Sequence, residues 1–130
     1  MKLDGFGIFV KDMGTMIRFY RDVHGFGIKE DENTENVYLE KDGTLFLLYG
    51  RKDFEKMAGR PFEYAEKVHG HFEIALSVSN FAEVDKTYDR VLSKGAGPVI
   101  PPTTEPWGQR TCYVSDPEGN LVEIGSFVKA

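Results

Sequence analysis

Residues 5–27, GFGIFVKDMGTMIRFYRDVHGFG, return 68 positions later as residues 73–95, EIALSVSNFAEVDKTYDRVLSKG. At that offset Val10 falls on Val78, Asp12 on Asn80, Tyr20 on Tyr88, Val23 on Val91 and Gly27 on Gly95. A second offset, of 76, continues the match: Lys41-Asp42-Gly43 falls on Pro117-Glu118-Gly119, Leu45 on Leu121 and Leu48 on Ile124. An internal repeat decides the architecture before any single element does. The expected fold class is α+β, two tandem βαβββ modules forming curved mixed half-sheets around a cavity. The chain then reads as one domain, 1–130, with module 1 at about 1–50, a connection at 51–70 and module 2 at about 71–128.

Composition narrows the possibilities. A chain of 130 residues, 41% hydrophobic and 28% charged, suits one globular domain. A formal net charge of −5 argues against nucleic acid, whose phosphates require a basic face. Met1 to Val10 carries Asp4 and no long apolar run, so neither a signal peptide nor a membrane span is expected there. The single cysteine, Cys112, cannot form an internal disulfide, which points to a cytoplasmic location. It is read as a small buried hydrophobe on a strand rather than as a nucleophile.

Local patterns place the elements. Leu3 to Val10 alternates as a strand, with Phe6, Ile8 and Val10 on one face and Gly5, Gly7 and Phe9 on the other. Asp12 can cap a helix carrying Met13, Met16, Ile17, Tyr20 and Val23, which Gly25 and Gly27 end. Strands over 37–40 and 44–49 flank the hairpin signal Lys41-Asp42-Gly43. Residues 50–70 have no sustained period and read as a long connection that folds over the cavity. The second copy has a strand over 72–78, a helix capped by Asn80 with Glu83 and stopped by Gly95, and a proline-rich loop over 98–106. Strands over 111–115 and 121–127 then flank a type I turn, Asp116-Pro117-Glu118-Gly119.

Alternation assigns faces. Phe72, Ile74, Leu76 and Val78 face the helices, as do Val122 and Ile124, so Glu73 and Glu123 share the opposite, concave side. Phe9, Val37, Leu39, Leu45, Tyr49 and Tyr113 are expected to give that side an apolar and aromatic lining.

The duplicated pattern resembles a known family. Leu3-Asp4-Gly5-Phe6-Gly7-Ile8, Phe19-Tyr20-Arg21-Asp22 before Gly25-Phe26, and Asp116-Pro117-Glu118-Gly119-Asn120-Leu121-Val122-Glu123 are similar to the vicinal oxygen chelate superfamily. That group comprises glyoxalase I, extradiol dioxygenases, fosfomycin resistance enzymes and bleomycin resistance proteins. The run Glu105-Pro106-Trp107-Gly108-Gln109-Arg110 resembles the bleomycin resistance type most. The resemblance implies a metal held by one residue on the first and one on the last strand of each copy, and those positions read Gly5, Leu47, Glu73 and Glu123. Glycine and leucine donate nothing, and neither a zinc set nor a two-His, one-carboxylate iron set is present. No cofactor is therefore expected. A divalent metal on a displaced His71, Glu73, Glu123 site, with His69 nearby, is the alternative.

The carboxylates Glu73 and Glu123 are the catalytic candidates, able to act as general acid and base. They can equally draw in a cation. Phe9, Leu47, Tyr49, Trp107, Arg110 and Tyr113 complete the expected ligand-binding set. Trp107 can stack on a flat ligand or pin its loop; Arg110 can orient a ligand carboxylate or neutralise Glu105. The leading expectation is a metal-independent, drug-sequestering binder of a small molecule. The alternatives are a metal-dependent lyase or dioxygenase relative and a metal-free acid–base enzyme. A homodimer is expected, because an open half-sheet calls for a partner.

Overall fold

In the computed structural model, which describes residues 1–130, strand β1 (Gly5–Val10) leads into helix α1 (Met13–Arg18) through the cap that the sequence signals. The Asp12 carboxylate accepts the Thr15 N–H at 3.1 Å, and that bond holds Asp12 below the usual carboxylate range. At Phe19 the helix widens into a π turn (Phe19–Val23), which accompanies burial of the adjacent rings Phe19 and Tyr20. Strands β2 (Asn36–Lys41) and β3 (Thr44–Gly50) follow, joined through Asp42 and Gly43. Both central residues have positive φ, 51° and 79°, as a two-residue type I′ hairpin requires. Helix α2 (Arg51–Ala58) ends at Gly59 in the left-handed region.

These elements form the first of two compact units, Met1–Tyr64 and Ala65–Ala130. Its sheet has the order β1-β3-β2, with β1 parallel and β2 antiparallel to β3. Ile8, Val10, Val37, Phe46 and Leu48 are buried, as are Met16, Ile17 and Tyr20 of the helix. Two expectations change here. The strand that would complete βαβββ in this unit is absent, because residues 29–35 (KEDENTE) carry four acids and offer no apolar face to bury. The stretch read as a featureless connection contains α2, whose charges hide its period and none of whose residues is buried.

The second unit is complete: β4 (Glu73–Ser77), α3 (Phe81–Ser93), β5 (Gly97–Thr104), β6 (Arg110–Ser115) and β7 (Leu121–Ser126). The sheet order is β4-β7-β6-β5, with β4 and β7 parallel. Asn80 caps α3 by accepting the Glu83 N–H at 3.0 Å. Val84 and Val91 of the helix are buried, as are Cys112, Val114, Val122 and Ile124 of the strands. The expected proline-rich loop is in fact β5. Proline is tolerated there because β5 is an edge strand whose pairing with β6 is broken by two register shifts.

The Asp116–Asn120 turn is a polar clamp. Asp116 is 4% exposed, and its Oδ1 accepts the N–H groups of Glu118 and Asn120 at 2.9 and 3.0 Å. Asn120 reaches His69 Nε2 at 2.8 Å. Gly119, at φ 89°, lies so close to Lys67 that a Cβ would come 2.7 Å from its carbonyl carbon.

Candidate functional site

Strand pairing sets the acid face of the second unit. Ala75 is in register with Glu123, and Tyr113 with Glu123, so Glu73, Glu123, Thr111 and Tyr113 all project from one side. Cys112, Val114, Val122 and Ile124 take the other. The Tyr113 hydroxyl donates to Glu123 Oε2 at 3.0 Å, and the Thr111 hydroxyl donates to the same oxygen at 2.9 Å. Glu73 also lies near enough to act on the Tyr113 phenol. Burial, then the two glutamates, raise its phenol well above the ordinary 10.0. A phenol has one proton to give and here has two carboxylates beside it.

Gln109 and Thr111 were not read from the sequence as part of this face, although both have the parity of Tyr113. Gly125 makes room for them: a Cβ there would come 2.8 Å from Gln109 Nε2 and 3.2 Å from Thr111 Oγ1. Gln109 in turn accepts the Trp107 indole N–H at 2.9 Å. Trp107 is 63% exposed, so it does not pin the loop to the body; its ring stands in solvent at the tip of the β5–β6 turn.

Arg110 is a correction. Even numbers on β6 face α3, so its guanidinium lies on the side away from the acids. Nε and Nη2 bind Asp85 at 3.1 and 2.7 Å, and Nη1 donates to Thr104 at 2.9 Å. The partner is Asp85 rather than Glu105, and the donors are spent on tying β6 to α3. Cys112 is fully buried, and burial pushes its thiol up to about 12, which leaves no thiolate for nucleophilic chemistry near neutrality.

In the first unit, the open sheet face carries Phe9, Leu47 and Tyr49, with Phe9 in register with Tyr49. Val37 and Leu39 do not join them. They pair with Leu48 and Phe46 on the helix-covered face, and Tyr38, 68% exposed, takes the open side instead. Phe54 of α2 lies over this wall, 4.3 Å from Phe9 and 5.8 Å from Tyr49 between ring centroids.

The metal that the resemblance implies does not fit these residues. At Gly5 a Cβ would lie 2.6 Å from the Leu45 carbonyl oxygen, so the position is closed to any side chain as well as lacking a donor. Leu47 offers no donor. The displaced set His71, Glu73, Glu123 is not assembled either, since no group of three or more His, Cys, Asp or Glu is placed to hold an ion. His69 has both ring nitrogens engaged: Nε2 with Asn120 Oδ1, and Nδ1, which accepts the His71 N–H at 3.3 Å. The His71 ring stacks on His69 at 4.7 Å.

Known proteins match this architecture over almost the whole chain. YraH of Bacillus subtilis (strain 168), an uncharacterized protein, is 30% identical over 127 residues, covering 95% of this chain and 97% of its own. Virulence protein STM3117 of Salmonella typhimurium is 26% identical, covering 98% and 85%. A glyoxalase/bleomycin resistance protein/dioxygenase family enzyme from Burkholderia phytofirmans superposes with a TM-score of 0.83 at 22% identity, covering 98% and 100%. Lactoylglutathione lyase from Agrobacterium tumefaciens superposes at 0.72 with 24% identity, covering 95% and 92%; both structures speak to the fold alone. The family model matches residues 2–124, and the chain belongs to the Glyoxalase/Bleomycin resistance protein/Dioxygenase superfamily.

Proposed function

We propose that this chain binds a small cationic molecule without a metal, through Glu73 and Glu123 braced by Tyr113. One observation carries the reading: both hydroxyls converge on Glu123 Oε2, and Oε1 receives neither. A guest ammonium or amidinium supplies the N–H donors that a single phenol cannot, and charge-assisted bonds of this kind are the strong ones. The exposed Trp107 ring adds a surface for a flat or cationic group. Two acids recognise anions such as glutathione conjugates poorly.

Calorimetry against aryl amidines, bleomycin-like glycopeptides and glutathione conjugates tests this. The cationic set binds, and Glu73→Gln and Glu123→Gln each weaken it by roughly 1–3 kcal/mol. Tighter binding of the conjugates, undiminished in both variants, overturns the proposal. A second reading, metal-free acid–base catalysis, draws on the same phenol, which is hydrogen-bonded to Glu123 and lies near Glu73. Turnover abolished by Tyr113→Phe at unchanged affinity distinguishes it. The proposal includes a homodimer, checked by sedimentation, and a reducing cytoplasmic setting that suits the lone buried thiol. No helix is long and apolar enough to cross a membrane.

A further inference from the structure

The first unit holds a feature independent of the acid face. On β1 the open side is nearly bare: Gly5 and Gly7 present backbone, and Phe9 is the one large side chain. Leu47 leans across the floor beside Gly7, where a Cβ would meet it at 3.4 Å, and Tyr49 stands edge-on to Phe9 at 5.9 Å. Into this wall α2 inserts a single ring. Phe54 lies 4.3 Å from Phe9 with planes 33° apart, and Phe62 stacks behind it at 5.0 Å and 34°.

The segment that delivers Phe54 is closed on itself. Glu55 Oε2 accepts the Phe62 N–H at 2.8 Å and the Tyr64 hydroxyl at 3.0 Å, and the Arg51 guanidinium sits 4.2 Å above the Tyr64 ring. Its attachment to the sheet runs through exposed groups. Among these bonds are Arg51 Nε to the Phe9 carbonyl at 3.3 Å, Asn36 to Asp53 at 3.3 Å, and Tyr49 to the Met57 sulfur at 3.7 Å. All three are long and solvent-exposed. α1 buries Met16 and Ile17, whereas α2 buries nothing, which marks it as the low-cost element to open.

We propose that residues 51–64 are a displaceable plug, and that Phe54 holds the place of a flat, uncharged aromatic guest on the Phe9–Leu47–Tyr49 wall. A guest ring makes the same stacking contacts that Phe54 makes, so exchange loses little, and the closed strap swings as one body.

The test uses 2-naphthol, which is uncharged at neutral pH, and the full chain. Removing the plug with Phe54→Ala raises naphthol affinity about tenfold, since the guest then no longer competes with an intramolecular ring. In the wild-type protein saturating naphthol speeds hydrogen exchange of the amides at 52–58. If circular dichroism shows Phe54→Ala unfolded, Phe54→Leu, which keeps bulk and loses the ring, carries the same comparison with a severalfold gain. Unchanged affinity in the folded variant, slower exchange in α2 on binding, or no binding to any form overturns the proposal. Naphthol affinity unchanged by Glu73→Gln and Glu123→Gln keeps this site apart from the acid face, so its failure is separable from failure of the cation reading.

Discussion

The Tyr113 hydroxyl lies 3.0 Å from Glu123 Oε2, on the residue directly opposite it in the β6–β7 ladder. Cross-strand neighbours on one face are the closest side chains a sheet provides, so this pair is built by register alone. Its consequence is electrostatic. With Glu73 also in reach, the phenolate is disfavoured on two sides and by burial, and Tyr113 keeps its proton under alkaline conditions where an ordinary phenol loses it.

An alkaline titration follows from this. Folding raises the Tyr113 pKa, so its contribution to stability is complete below about pH 10, the unfolded value, and is lost as pH rises beyond it. Absorbance at alkaline pH shows Tyr113 among the late-ionising tyrosines, together with Tyr64, whose phenol is also raised by burial and the Glu55 carboxylate. Tyr113→Phe takes one tyrosine out of that late step and lessens the loss of stability above pH 10. An unchanged titration in the variant contradicts the assignment.

Gly5 is a packing requirement. Gly5→Ala sets a Cβ against the Leu45 backbone, an overpacking expected to cost roughly 1–3 kcal/mol in urea unfolding, and Gly5→His costs more. Neither variant acquires zinc. A Gly5→His protein of wild-type stability would show that β1 and β3 can part there.

Arg110→Ala destabilises the fold and leaves cation affinity unchanged, because its guanidinium belongs to Asp85 on the far side of the sheet. A double-mutant cycle with Asp85→Ala returns a coupling of about 1 kcal/mol, the upper end for a partly exposed pair with fork geometry. Weakened cation binding in Arg110→Ala would place it at the site after all.

Cys112 is silent toward maleimide at pH 8 in the native protein and reacts on unfolding. Its thiol is fully buried and raised to about 12, so both access and thiolate are missing. Rapid native labelling would require an opening of β6 and β7.

Repeat and alternation, both properties of the linear chain, determined most of this protein: the α+β class, the caps at Asp12 and Asn80, the hairpin at Asp42-Gly43, and the shared face of Glu73, Glu123 and Tyr113. The class and the faces rest on periods of 2 and 3.6 residues, the caps and the hairpin on the local chemistry of Asp12, Asn80 and Asp42-Gly43. Phase was the weak point. A register one residue off sends every side chain to the wrong face, which is how Val37 and Leu39 were misplaced and Tyr38 overlooked. Arg110 differs, because its parity with Cys112 already placed it behind the sheet. What the order of residues does not carry is pairing between distant segments. β5 is a strand only because β6 gives its proline-broken backbone a partner, and α2 is seated where its Phe54 ring meets Phe9, 45 positions earlier in the chain. The closure of Gly5 depends on how near Leu45 comes across the sheet, and the choice of Asp85 for Arg110 depends on where α3 lies against β6. Such distances follow from tertiary packing, since contacts between residues tens of positions apart leave no local period to read.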